Sequence, residues 1–282
     1  MLTIEQLLKE SEHIEPVPQV VRQLMDLEDD PDVSASEITE LILYEPVVTA
    51  NLLKLTNSAA LGFKRKVDSV HDAVVLLGLK RLIEIVLLNS VTRPLKSAQQ
   101  GYGLEEGQLW KQSVSCALMA SSVADIVDRS VKHVVFTAAL LKDIGVIVMD
   151  RYVHEALDQI RTAIRTHGLN LVAAERRVLG IDHAHLGGQM AEKWNFSQTL
   201  AVAISNHHLT HQSKTVATET AMVYLADSMC SMSGINADLF SDNTADHDRI
   251  RKQLNLEEKD VNRIMSDFYS RKEAIYGLLA IL

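Results

Sequence analysis

The chain is expected to fold as an all-α, two-lobed helical bundle, and three features of the sequence carry that expectation. Leu, Ala, Ile, Val and Glu recur at helical spacing throughout. Aromatics make up only 5% of the chain, with five prolines and twelve glycines. At 282 residues and 47% apolar content the chain can bury one large core or two smaller ones, so two domains or one two-lobed body is the prior.

The first half reads as a series of short helices. Thr3 to Lys9 makes an opening helix, and Pro16-Val17-Pro18 forces an extended break. Gln19 to Leu27 then resumes with Val20, Val21, Leu24 and Leu27 as its buried stripe, until Asp29-Asp30-Pro31 stops it. Ser34 and Glu37 have the form of a capping box, which starts a helix that ends before Glu45-Pro46. Pro46 suits the first turn of the next helix, with Val47, Ala50, Leu53 and Leu55 buried as far as Asn57-Ser58-Ala59. Asn57 and Ser58 either satisfy backbone carbonyls at that helix end or contact a ligand; the first reading is preferred, because buried polar groups must find partners. Ser69 and Asp72 offer a second capping box, after which Ala73, Val74, Leu76 and Leu77 bury, Gly78 forms a left-handed cap, and Leu79 to Val91 makes a helix up to Pro94. Residues 1–96 are assigned to a first lobe on this basis.

Ser97 to Gly107 is polar, holds three glycines and reads as the connector between lobes. Helices are then predicted at Gln108–Val127, Val131–Met149, His154–Thr166, Leu171–Leu179, His183–Trp194, Gln198–His208 and Val216–Met232. Gly168 and Gly180 end two of them, Gly234 to Asp248 is a polar loop, and Glu257 to Leu282 closes a second lobe over 108–282. The Val131–Met149 segment is apolar apart from Lys132, His133, Thr137, Lys142 and Asp143, so it is placed at the centre of its lobe.

Bulk properties narrow the function. A formal charge of −9 with no block of Lys and Arg excludes nucleic acid as the expected partner. Cys116 and Cys230 sit far apart in apolar helical runs and are read as buried, inert thiols in a reducing compartment. Met1 to Glu15 has no signal-peptide pattern, and apolar runs such as Ile83–Leu88 fall far short of the ~20 residues of a membrane span. The chain is therefore expected to be cytoplasmic with no membrane partner.

Two sets of motifs carry a resemblance. Pro16-Val17-Pro18, Glu45-Pro46, Leu52-Leu53-Lys54-Leu55-Thr56-Asn57-Ser58-Ala59 and Asp72-Ala73-Val74-Val75-Leu76-Leu77-Gly78 resemble, in order and spacing, the N-terminal part of the HDOD family, non-catalytic relatives of HD phosphohydrolases found in bacterial signalling. Phe136 to Gly145, Gly180-Ile181-Asp182-His183, Asn206-His207-His208 and Ala226-Asp227 resemble the metal-site backbone of the HD superfamily, which implies an HD-like second lobe. The resemblance implies a remnant metal set of Asp143, His183, His207, His208 and Asp227.

Two positions depart from the HD pattern. Lys142 stands where the HD histidine belongs, and Gln112 where a first histidine often falls. A protonated amine has no lone pair to give a metal, and an amide is a weak ligand. Lys142 and Gln112 are accordingly read as lining a ligand cavity. Lys142 either offsets the buried carboxylates Asp143 and Asp227 in place of the lost metal or snorkels to solvent. His183 and His185, about 200° apart on a helix, do not share an ion, whereas His207 and His208, about 100° apart, flank one cavity. His133, His154, His167 and His247 fall in no motif and are given solvent or cap roles.

The expected function is a non-enzymatic signal-transduction module with no catalytic residues, acting on a signalling protein partner in trans or on a small-molecule or nucleotide ligand. No cofactor is expected, the alternative being Fe, Mn or Zn at the remnant site. The competing reading is a metal-dependent phosphohydrolase with a reduced ligand set. Cyclic di-GMP cleavage is not expected, because no Gly-Tyr-Pro follows the paired histidines.

Overall fold

The computed structural model describes residues 7, 9, 19–27, 32–43, 48, 49, 52, 53, 56, 57, 67–209, 216–235 and 244–279, without the side chains of 19, 22, 89–91, 93 and 271–279. The expected Thr3–Lys9 helix, the Pro16–Pro18 break, the Asp29–Pro31 stop and the helix opening at Pro46 lie wholly or mostly outside these residues. Every regular element described is helical, and the chain divides into a unit of Met1–Ile14 with Pro94–Phe268 and another of Glu15–Arg93 with Tyr269–Leu282.

In the smaller unit α1 (Gln19–Asp26) buries Val20, Val21 and Leu24, and α2 (Ala35–Leu43) buries Ile38 and Ile42. The capping box that opens α2 closes reciprocally: Ser34 N–H donates to Glu37 Oε2 at 2.8 Å and Glu37 N–H to Ser34 Oγ at 3.2 Å. Asn57 satisfies backbone groups, as preferred above. Its Nδ2 donates to Leu53 O and Val67 O, and its Oδ1 accepts from Val67 N–H, at 2.7–2.9 Å.

The third helical segment, α3 (Val70–Lys96), corrects two expectations. Its N-terminus is capped as predicted, with Asp72 N–H donating to Ser69 Oγ at 3.0 Å. Gly78, at φ 72° and ψ 161°, leaves the helical region and divides the segment into two helices across a kink, where the sequence places the end of one helix and the start of the next. Ala73 and Val74 are buried while Leu76 is 51% exposed and Leu77 half-buried, because an apolar run on all sides leaves spacing unable to choose a face. The helix also runs past Pro94, which removes one ladder donor without forcing a stop so near the end.

The larger unit holds α4 (Gln108–Val127), α5 (Lys132–Leu141), α6 (Ile144–His167), α7 (Leu171–Leu179), α8 (His183–Lys193), α9 (Gln198–Ser205), α10 (Thr218–Met232) and α11 (His247–Gln253); α12 (Glu258–Leu279) starts here and ends in the other unit. The predicted stops hold: Gly168 (φ 61°) and Gly180 (φ 84°) close α6 and α7 in the left-handed region. Asn170, Asp182 and Ser197 cap α7, α8 and α9 by accepting from Ala173, His185 and Leu200 N–H.

Two boundaries differ from expectation. The predicted helix Val131–Met149 is broken at Lys142-Asp143, and α6 instead continues through the predicted gap after Met149 to His167. Leu140, Leu141, Ile144 and Val146 are all buried around the break, so the apolar pattern runs through it, and Lys142-Asp143 with Gly145 are its only marks in the sequence. Ser97–Gly107 holds an ordered one-turn 3₁₀ segment, Gln100–Tyr102, in which Gly101, Tyr102 and Leu104 are buried. Cys116 and Cys230 are buried free thiols as expected, and Cys230 Sγ lies 3.6 Å from Met119 Sδ. His247 is half-buried and bonded to Ser228 Oγ through Nδ1 at 2.6 Å, a specific partner that its place in no motif did not suggest.

Candidate metal and ligand site

Close backbone approach brings the site together. Gly145, in the first turn of α6, faces the first turn of α8: a Cβ there would lie 2.1 Å from His183 O. Gly188 of α8 meets α9 in the same way, a Cβ falling 2.5 Å from Ser205 Cβ. The three helix ends therefore converge, and Asp143, preceding α6, His183, opening α8, and His207-His208, following α9, come within one cluster. The turn after α9 is closed by Leu209 N–H donating to Asn206 O, with Leu209 at φ 51°. His207 and His208 thus project from a turn, not from the helix expected to reach His208.

One ligand atom from each of Asp143, His183, His207 and His208 lies within 4.8 Å of the others. Asp227, the fifth residue of the expected set, is absent from that cluster. It is 1% exposed and its Oδ1 accepts from Lys142 Nζ at 2.9 Å. Lys142, 2% exposed, also pairs with Asp143 Oδ2, so its ammonium sits between two buried carboxylates and does not snorkel. Burial alone would depress the lysine, but Asp143 and Asp227 outweigh it and raise its pKa. Burial would raise Asp143, yet Lys142 first and His207 next hold its carboxyl well below the usual range.

The protonation pattern follows from fixed acceptors. His207 Nδ1 lies 2.7 Å from Ile204 O, and a carbonyl only accepts, so Nδ1 carries the proton. His183 Nδ1 lies 2.8 Å from Glu175 Oε2, which also accepts from His183 N–H at 3.1 Å. In the neutral imidazoles both Nε2 atoms then offer lone pairs toward Asp143 Oδ1, which is 3.4 Å from His207 Nε2 and 3.7 Å from His183 Nε2 and makes no hydrogen bond among the described residues. Electron-pair donors aimed at one another demand a shared cation or a proton. An N₃O set of this kind fits one Zn, Mn or Fe ion. A second ion beside it does not fit, because the ammonium of Lys142 holds Asp227 and the other Asp143 oxygen.

His183 Nε2 is also 3.0 Å from His208 Nε2. Burial lowers His183, but Glu175 and Asp143 more than reverse it, whereas burial, His207 and His183 push His208 well below the ordinary histidine range.

Gln112 is 2% exposed on α4, and among the described residues neither Oε1 nor Nε2 has a hydrogen-bond partner. His185 lies outside the cluster, in keeping with the angular argument against a His183–His185 pair. Glu175 and Tyr102 are the site residues that sequence reasoning missed. Glu175 is fully buried, and its Oε1 accepts from Tyr102 Oη–H at 2.6 Å. A signal existed: Glu175 stands midway along the buried Leu171–Leu179 stripe, where a carboxylate needs a reason. Asp182 is drawn to Arg176 through one oxygen and to the α8 cap through the other, which fixes His183 at the helix start.

The helical bundle and its converging His/Asp cluster define an HD-like architecture. The chain belongs to the HDOD domain family, whose model matches residues 14–210. It is 25% identical to an HDOD domain protein of unknown function from Geobacter sulfurreducens, with a TM-score of 0.72 and 97% of this chain and 95% of that one covered. Its fold is also that of a protein from Shewanella amazonensis SB2B assigned as a phosphohydrolase (20% identity, TM-score 0.70, coverage 94% and 93%). A protein from Marinobacter aquaeolei VT8 assigned to signal transduction shares it too (18% identity, TM-score 0.75, coverage 96% and 61%). An uncharacterized protein of Treponema pallidum (strain Nichols) is 26% identical over 207 residues, which are 70% of this chain and only 39% of that longer protein. Among the described residues no helix is long and apolar enough to cross a membrane.

Proposed function

We propose that the chain is a non-enzymatic signal-transduction module that acts by binding a signalling protein or small ligand in trans, and that Asp143, His183, His207 and His208 form a one-ion site within it. The observation that carries this reading is the Lys142 ammonium fixed between Asp143 and Asp227. Hydrolysis of a phosphate ester assisted by two metals needs two adjacent cations to steady the attacking and the leaving oxygen. Here the second place belongs to a side chain that cannot bind water as an acid or exchange ligands. The assignment of the Marinobacter aquaeolei relative to signal transduction supports the same reading.

The four-residue cluster favours a second reading, a metal-dependent phosphohydrolase, in line with the assignment of the Shewanella amazonensis relative. A single bound ion supplies Lewis acidity and a water of lowered pKa. The chain's own part would be limited to His183 and His207 presenting Nε2, and Asp143 presenting Oδ1. Metal analysis of the purified protein, combined with hydrolysis of bis-p-nitrophenyl phosphate and of cyclic dinucleotides, separates the two. At most one ion per chain and no turnover with added Mn²⁺, Fe²⁺ or Zn²⁺ is expected; turnover lost on His207→Ala would establish the hydrolase.

A further inference from the structure

Beyond the ligands themselves, a hydrogen-bonded chain leaves the cluster and ends in the Ser97–Gly107 segment. His183 Nδ1 donates to Glu175 Oε2 at 2.8 Å, and Glu175 Oε1 accepts from Tyr102 Oη–H at 2.6 Å. All three side chains are buried, at 0–2% exposure. Tyr102 is in turn fixed by its backbone. Gly101 N–H donates to Asp150 Oδ1 of α6 at 2.9 Å, and Gly101 packs so closely on α6 that a Cβ would come within 2.0 Å of Asp150 O. The 3₁₀ turn Gln100–Tyr102 is thus clamped to α6 at one side and to the cluster, through one carboxylate, at the other.

The chemistry of the chain is directional. Tyr102 Oη–H, His183 N–H and His183 Nδ1–H all point at Glu175, so both carboxylate oxygens act as acceptors. That arrangement holds His183 in the one tautomer whose Nε2 lone pair faces Asp143 and His207. A carboxylate behind a ligating imidazole fixes its orientation and raises its basicity, and loss of such a partner weakens metal binding by roughly 10–100-fold. Nothing in the HD-type motifs marks Glu175 or Tyr102 for this duty.

We infer that Glu175 and Tyr102 are positioning residues that couple cation occupancy of the Asp143/His183/His207/His208 cluster to the docking of the Gln100–Tyr102 turn; this rests on the one-ion reading of the cluster. Coupling of this kind is reciprocal: if the docked turn tightens the site, a bound cation tightens the turn. Occupancy of a buried site is then read at a segment of backbone in Ser97–Gly107.

The test uses the full chain with Zn²⁺ alone as probe. Calorimetric titration is compared for wild type, Glu175→Gln and Tyr102→Phe, alongside amide hydrogen exchange of residues 99–104 with and without zinc. Long-range ¹H–¹⁵N spectra of the metal-free proteins report the His183 tautomer, a signature that a purely structural role would not move. Zinc affinity is expected to fall roughly 10–100-fold in Glu175→Gln, and by less, in the same direction, in Tyr102→Phe, a variant that keeps the ring and so guards against simple misfolding. Zinc should slow exchange at 99–104 in wild type and not in Tyr102→Phe, and His183 should lose its pure Nδ1–H form in Glu175→Gln. Zinc bound equally by all three proteins, or exchange at 99–104 indifferent to zinc, overturns the coupling alone. Wild type that takes up no zinc overturns the one-ion reading and the coupling with it, while the tautomer spectra still report whether Glu175 sets His183.

Discussion

Lys142 is the residue on which the behaviour of the site turns. An ammonium at 2% exposure is tolerated only because Asp143 and Asp227 surround it, and removing one partner of a buried pair costs more than the pair contributes. Lys142→Ala should therefore lower the unfolding free energy by roughly 3–5 kcal/mol in urea denaturation, while the triple change Lys142→Met, Asp143→Asn, Asp227→Asn, which removes every charge together, should cost less than the single one. A change within about 0.5 kcal/mol for Lys142→Ala, the size of a surface effect, would show that the ion pair is not what holds this site. The pH window follows from the two shifts. Lys142 is raised in the folded chain, so its contribution is complete below about pH 10.4 and is lost as pH rises through the folded value. Asp143 is depressed, so its contribution is complete above about pH 3.9 and is lost as pH falls through its folded value. Wild type minus Lys142→Ala should accordingly give a flat stability difference across the neutral range that narrows only at the extremes.

At the scale of elements, the meeting of α6, α8 and α9 makes the site, and glycine makes the meeting. Adding a Cβ at Gly145 drives it to 2.1 Å from the carbonyl oxygen of His183, a backbone atom that cannot rotate away. Gly187 is different: its nearest neighbour is Ile204 Cγ2 at 3.2 Å, the tip of a side chain. Gly145→Ala should destabilise by at least ~1–3 kcal/mol from overpacking, whereas Gly187→Ala, offset by about 1 kcal/mol of helix propensity, should stay near neutral; thermal melts of both variants decide it. The same elements show what a sequence can tell. Helix ends with their own chemistry were legible: the Ser34/Glu37 box, Gly168 and Gly180 all hold. The break at Lys142-Asp143 was not, because Ala138 to Leu141 and Ile144 to Val146 are buried on every side, and a segment without a polar face carries no period to interrupt. That His183, His207 and His208 belong together was legible as motif, yet Asp227 leaves the cluster and Glu175 enters its support, since which carboxylate meets which cation is set by tertiary contact.

For the whole molecule, a cation that binds the folded cluster must also stabilise the fold, because an unfolded chain presents Asp143, His183, His207 and His208 too far apart in sequence to act together. Binding raises stability by RT ln(1 + [L]/Kd), about 2.7 kcal/mol when zinc stands at a hundred times its Kd. For a unit of this size each kcal/mol corresponds to roughly 2–4 °C, so the melting temperature should rise by roughly 5–10 °C and return on adding EDTA. Two variants, each measured against its own metal-free melt, separate the observed four-residue cluster from the five-residue set that motif matching implies. His207→Ala removes a lone-pair donor facing Asp143 Oδ1, at 3.4 Å in the parent chain, and should abolish the zinc-dependent rise. Asp227→Asn removes a carboxylate that serves Lys142, and should lower the metal-free melt while leaving the zinc-dependent rise in place. If Asp227→Asn erased the zinc effect as fully as His207→Ala, Asp227 would have to turn from the ammonium to the ion, and Lys142 would no longer bar a second cation from the site.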